Sequence, residues 1–248
     1  MMQMRKILVD LSHNETYQRV PQKIFDIDYI FDFTQRGGFL PEFSQLKQYD
    51  LIIIGEILPA DNQRDHLFRA EEIQSLRRFV KGGGNLLITS SSGGDFNYDG
   101  SQGSLRALSA LTGVKQFFWG ELFNKELGCY YETPENLILT DFPNHPIFKN
   151  INRLIFADST YLKVATNETN EKCKMLLECP EHTIFRSFET EKIRKVGKVP
   201  LIVMNSYEEG KTISIANTYF MTPDSKYGIG LADNQQFMKN IIEWLVQF

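Results

Sequence analysis

Apolar positions recur along the chain in two rhythms, and their alternation predicts the first elements. Near-continuous apolar runs over residues 6–11 (KILVDL), 29–33, 51–55 (LIIIG) and 85–90 read as strands. A sheet face open to water would alternate polar and apolar side chains, so the cleanest of them, LIIIG, is expected to be covered by helices on both faces. Between the last two, Ile73, Leu76, Phe79 and Val80 fall at helical spacing within residues 69–81, and Gly82-Gly83-Gly84 stops that helix. Residues 16–25 read as a shorter, imperfect helix that Pro21 interrupts unless it falls in the first turn. Strand, helix, stop and strand in this order generate right-handed parallel crossovers, so the expected class is α/β with a doubly wound, mostly parallel sheet.

The rhythm then changes. Residues 91–103 form a Ser/Gly/Asp loop, and Leu105, Leu108 and Leu111 mark a short helix ending near Gly113. Short strand-like runs follow at residues 116–119, 137–140, 154–157 and 175–179, giving a β-rich C-terminal half. Residues 201–205 and 212–216 flank a Glu208-Glu209-Gly210 turn and read as a hairpin that extends the same sheet. The last helix, residues 234–246, carries Phe237, Ile241, Trp244 and Leu245 on one face to close the core. With no repeat and no linker, residues 1–248 are expected to form a single domain.

Composition narrows the classes of function. A net charge of −4 over 248 residues excludes a general phosphate-backbone binder, so no nucleic acid partner is expected. The densest basic run, residues 192–198, alternates with apolar residues and reads as a solvated face. Cys129, Cys173 and Cys179 lack CxxC spacing and an even count, which points to reduced thiols. No run is long and apolar enough to span a bilayer, and the expected location is cytoplasmic.

Several pieces, in order along the chain, carry a family resemblance. They are Ser12-His13-Asn14-Glu15 after the first strand, Tyr49-Asp50 before the third, and Glu71-Glu72-Ile73 leading into Phe79-Val80-Lys81-Gly82-Gly83-Gly84-Asn85-Leu86-Leu87-Ile88. Asn144-His145-Pro146-Ile147, Gly210-Lys211 and Asn240-Ile241-Ile242-Glu243-Trp244-Leu245 complete the set. Together they resemble the gliding-motility GldG and intraflagellar-transport (GIFT) domain group of the class I glutamine amidotransferase-like fold, over most of residues 5–247. The resemblance implies a flavodoxin-like sheet and a role in ligand binding, transport or assembly. Amidotransferases of this fold carry a Cys nucleophile on a strand-to-helix elbow and a later His-x-Glu pair. Here the elbow reads Ser90-Ser91-Ser92-Gly93-Gly94, so amidotransferase activity is not expected.

Candidate chemistry gathers where loops leave the carboxyl ends of the parallel strands. His13, Glu15 and Glu56 each follow a strand, and the turn Ser90, Ser91, Ser92, Gly93, Gly94 and Asp95 offers successive backbone N–H groups for a carboxylate, phosphate or sugar hydroxyl. These residues are expected to converge as a binding site for a small molecule, a sugar or an anion, with a protein partner and homo-oligomerisation as the other open associations. The alternative is a serine hydrolase in which Ser91 or Ser92 is the nucleophile, His13 its base and Glu15 the orienting acid. A metal reading would join His13 and Glu15 to His66 or Asp95, but side chains at i and i+2 of a tight turn tend to diverge, and neither metal nor cofactor is expected. Tyr219 and Asp224 are placed on the rim of the same crevice. Phe117, Phe118 and Trp119 read as partly core, His145 reads as a turn residue, and His182 belongs to no constellation.

Overall fold

The computed structural model describes residues 4–15, 29–57, 67–94, 105–165, 173–223 and 225–246. Strand β1 (Arg5–Asp10) is followed by β2 (Tyr29–Phe33), helix α1 (Phe43–Leu46), β3 (Leu51–Ile54), α2 (Ala70–Lys81) and β4 (Asn85–Thr89). The helix expected over residues 16–25 lies outside the described residues. α2 begins with Glu72 at its third position, where the carboxylate accepts the Arg69 N–H at 2.7 Å, and acidic Glu71 and Glu72 also suit the positive end of the helix dipole. α2 turns Leu76, Phe79 and Val80 inward and ends at Gly82.

After a 3₁₀ turn at Leu105–Leu108, the chain forms α3 (Ser109–Thr112), β5 (Val114–Phe117), β6 (Gly120–Phe123), β7 (Tyr130–Tyr131), β8 (Thr133–Leu139) and β9 (Leu154–Ala157). β10 (Leu162–Val164), β11 (Cys173–Glu178), β12 (Ile184–Ser187), β13 (Ile193–Lys195), β14 (Pro200–Tyr207), β15 (Gly210–Ile215) and α4 (Asn234–Val246) complete it. The strand expected over residues 116–119 is displaced. It ends at Phe117, and the chain restarts at Gly120, whose φ of 146° no other residue type adopts comfortably and whose Cβ would clash with Phe185.

The main sheet has the order β11-β14-β15-β4-β3-β1-β2. β15, β4, β3, β1 and β2 are mutually parallel, in the 5-4-3-1-2 order of a flavodoxin-like sheet, while β14 runs antiparallel to both of its neighbours. The expected hairpin is therefore part of this sheet. Its second strand, β15, is also the fifth parallel strand. Among the described residues three smaller antiparallel sheets, β10-β5, β13-β12-β6 and β7-β8-β9, make up much of the β-rich second half.

Every residue of β3 and β4 is buried, as continuous apolar runs require. At about 1.5–3 kcal/mol for each fully buried Ile or Leu, these two strands are a large share of the driving force for folding. α4 buries Phe237, Ile241 and Leu245, with Met238 and Ile242 beside them, and leaves Trp244 half-buried. The carboxyl ends of β1 and β3 are adjacent at the point where strand order reverses, with those of β4 and β15 next along the same edge. Among the described residues no helix is long and apolar enough to cross a membrane.

Candidate functional site

β1 ends on Asp10, and its carboxylate organises the turn that follows. Oδ1 accepts the Ser12 N–H at 3.1 Å, the Ser12 hydroxyl at 2.7 Å and the Thr34 hydroxyl at 2.8 Å, an Asx-type turn reinforced from the loop after β2. This places the His13 ring inside the protein. Its Nδ1 lies 2.9 Å from Asp10 Oδ2, its Nε2 lies 3.3 Å from Glu72 Oε2, and its face packs on Phe68 at 4.0 Å between centroids. Glu15 Oε2 accepts the His13 N–H at 2.9 Å, and Oε1 lies 3.6 Å from His13 Nδ1. Asp10, His13, Glu15 and Glu72 are all buried.

Burial opposes charge on His13, yet the surrounding carboxylates of Asp10, Glu15 and Glu72 push its pKa up to about 11. Burial likewise opposes ionisation of Asp10 and Glu72, but the contact with His13 holds both below the usual carboxylate range. Glu15 is pushed up to about 7, chiefly by burial. The cluster is thus an imidazolium held among three carboxyl groups.

Beside it, Glu56 follows β3 and reaches the turn after β4. Its Oε1 accepts the N–H groups of Ser91 at 3.2 Å and Gly93 at 3.0 Å. The backbone donors expected to hold an external anion are therefore held by the protein's own carboxylate. Burial pushes Glu56 up to about 7 against the pull of these two bonds, and the charge of Asp158 adds to the rise. The Ser90 hydroxyl donates to Gly94 O at 3.3 Å, and the Ser91 hydroxyl accepts the Thr218 N–H at 2.8 Å from the loop after β15. Ser92 N donates to Asp158 O at 2.8 Å, and Ser92 O accepts from Gly120 at 2.9 Å. Gly94 sits at φ 55°, where a Cβ would penetrate the Phe118 carbonyl. Asp158, itself in a left-handed conformation at φ 49°, and the Tyr219 hydroxyl lie close enough for their charges and that of Glu56 to interact. The Tyr219 hydroxyl is pushed up by burial and by the charges of Asp158 and Glu56.

The expected convergence resolves into two neighbouring clusters, His13 and Glu15 with Asp10 and Glu72, and Glu56 with the Ser91–Gly93 backbone. A backbone bridge between Glu15 and Ile57 ties the β1 loop to the β3 loop. Asp95, His66 and Asp224 lie outside the described residues. The expected divergence of His13 and Glu15 does not occur, because Glu15 folds back to cap the His13 N–H. No hydrogen bond among the described residues joins His13 to Ser91 or Ser92. Both His13 nitrogens face carboxylates and the Ser91 hydroxyl is engaged by Thr218, so the nucleophile–base pair of the hydrolase reading is not assembled.

Asp10, Thr34, Glu72 and Asp158 were not among the candidate site residues of the sequence, Glu72 having been noted only in the Glu71-Glu72-Ile73 piece of the resemblance. Glu72 stands in a helix-start position that explains it locally, and its second task, 59 positions from His13, is a tertiary event. Elsewhere, the core reading of Phe117 agrees with its burial, Phe118 stacks on Tyr161 at 4.1 Å, and Trp119 meets the edge of Phe188 at 6.2 Å. His145 is a turn residue that accepts the Ile147 N–H. Burial pushes the Cys173 and Cys179 thiols up, as befits structural cysteines.

None of the known family models matches the chain, and no curated protein matches it. Solved structures do. The mmIFT52 N-terminal domain superposes with a TM-score of 0.72 at 13% identity, covering 98% of each chain. A protein from Bacteroides uniformis described as ThuA-like gives 0.59 at 14% identity, with 98% of this chain and 91% of that one covered. A cytoplasmic protein from Salmonella typhimurium gives 0.57 at 14% identity, covering 98% and 99%. At such identities the likeness establishes the fold alone, a flavodoxin-like α/β arrangement.

Proposed function

We propose that the chain is a non-catalytic binding and assembly module of the GIFT-like group, acting as one cytoplasmic domain, with a neutral sugar bound at the carboxyl edge of the sheet. One observation carries this reading. Of the two candidate nucleophiles, Ser91 has its hydroxyl accepting a backbone N–H, and His13, the candidate base, has both ring nitrogens facing carboxylates with no hydrogen bond to Ser91 or Ser92 among the described residues. Glu56 and Asp158 would accept hydrogen bonds from hydroxyl groups and the neutral Tyr219 hydroxyl would donate or accept one, whereas the negative charge of the two carboxylates would repel a phosphate or sulfate. The likeness to the mmIFT52 N-terminal domain supports the assembly role at the level of fold.

A protein partner is the second reading, favoured by a groove of about 500 Å³ lined in part by Ile138, Leu139, Phe142, Met175 and Leu177. It runs beside β11, the end strand of the main sheet, where Met175 is exposed. Thermal-shift titration with neutral mono- and disaccharides, phosphate and sulfate tests the first reading. Stabilisation by a sugar that Asp158→Asn or Tyr219→Phe abolishes is expected, with no response to the anions. Covalent labelling of Ser91 or Ser92 by a fluorophosphonate would overturn the non-catalytic assignment. Light scattering with and without Met175→Lys tests self-association through the β11 edge.

A further inference from the structure

The turn after β1 brings three potential ligand atoms to one point. Asp10, His13 and Glu15 each offer one ligand atom, and these lie within 4.8 Å of one another; His13 Nδ1 is 2.9 Å from Asp10 Oδ2 and 3.6 Å from Glu15 Oε1. Bonds of about 2.0–2.2 Å to a tetrahedral zinc ion set neighbouring ligand atoms about 3.3 Å apart, which falls between these two separations. The remaining polar atom of each side chain is already committed. Asp10 Oδ1 takes three hydrogen bonds, Glu15 Oε2 takes the His13 N–H, and His13 Nε2 faces Glu72. The last contact is the carboxylate–histidine arrangement that orients metal-binding imidazoles.

A second observation points to a ligand. Glu15 is completely buried, and among the described residues its Oε1 makes no hydrogen bond, His13 Nδ1 at 3.6 Å being an ion-pair contact beyond hydrogen-bond reach. A buried carboxylate oxygen without a partner costs stability, and a cation between it and Asp10 would satisfy it. We propose that Asp10, His13 and Glu15 form a structural site for a divalent transition ion of the zinc class, with Glu72 positioning His13 from behind. One imidazole and two carboxylates suit such an ion better than calcium or magnesium, which take mainly oxygen ligands. Ser12 Oγ, 3.1 Å from His13 Nδ1, or a water supplies a fourth ligand. Binding replaces the proton on Nδ1, which leaves to solvent, and fastens the β1 turn to the helix carrying Glu72.

The inference is independent of sugar binding at Glu56, so either can fail alone. The test uses the full chain stripped with EDTA, then mixed with excess ZnCl₂ or CoCl₂ and gel-filtered. About one ion per chain by elemental analysis, a rise in Tm of several degrees, and cobalt absorption without a thiolate charge-transfer band are expected. Glu15→Gln should lose the retained ion, Glu72→Gln should weaken binding about tenfold to a hundredfold, and His145→Ala with His182→Ala should leave it unchanged. Failure of the wild type to retain an ion or gain Tm would overturn the proposal. So would a thiolate band, or binding that survives Glu15→Gln and disappears with His145 and His182.

Discussion

Glu56→Gln isolates the cost of burying a carboxyl group against the turn after β4. The ordinary value of 4.5 rises to about 7 in the folded chain, chiefly through burial, with the charge of Asp158 adding to it. Between these two pH values the folded protein holds a proton that the unfolded chain has released, so stability falls as pH rises through the interval. The gap, at about 1.4 kcal/mol for each pH unit, amounts to about 3 kcal/mol lost by pH 8. A glutamine keeps an oxygen to accept the Ser91 and Gly93 N–H groups and carries no charge to desolvate. Its stability relative to wild type should therefore increase from pH 4.5 to pH 8 by up to about 3 kcal/mol. Urea unfolding of both proteins, followed by circular dichroism at four pH values across that range, measures the difference, and other titrating groups cancel between them. A difference that stays flat, or moves in favour of wild type as pH rises, would refute the reasoning.

Three further outcomes follow from the same geometry. His13→Ala leaves Asp10, Glu15 and Glu72 buried without their counter-charge and should cost about 3–5 kcal/mol, read as a lowered urea midpoint at pH 7; a loss under 1 kcal/mol would contradict the ion-pair account. Gly94→Ala must accommodate φ 55° and a clash with the Phe118 carbonyl, so a cost of about 2 kcal/mol is expected, with an unchanged Tm as the contrary result. Ser91→Ala strips the Thr218 N–H of its acceptor and should cost about 1–3 kcal/mol; hydrogen exchange at Thr218 should accelerate, and unaltered protection there would count against the bond.

Much of the frame was legible because it depends on local chemistry. The LIII core of β3 is apolar on both faces and could be satisfied only as an inner strand, and α2 carries both its inward stripe and its glycine stop in contiguous residues. The bounds of β9 and α4 agree with the apolar runs for the same reason. The rhythm over residues 116–119 misplaced a strand, since the break after Phe117 depends on how closely Gly120 approaches Phe185.

The loops after β1, β3 and β4 gather at one edge of the sheet, because parallel strands send their carboxyl ends to one side wherever they pair. What those loops do to one another was not readable. His13 meets Glu72 across 59 positions, Glu56 caps a turn 35 positions away, and Ser91 meets Thr218 across 127. Periodicity, burial demand and turn chemistry along the chain fix the inner strands, the principal helices and the edge at which polar residues gather. The tertiary structure alone decided that the Ser91 and Gly93 amides are filled by Glu56 and that His13 is enclosed by carboxylates. Hydrogen-bond partners are chosen by distance in space, to which spacing along a chain carries no direct signal.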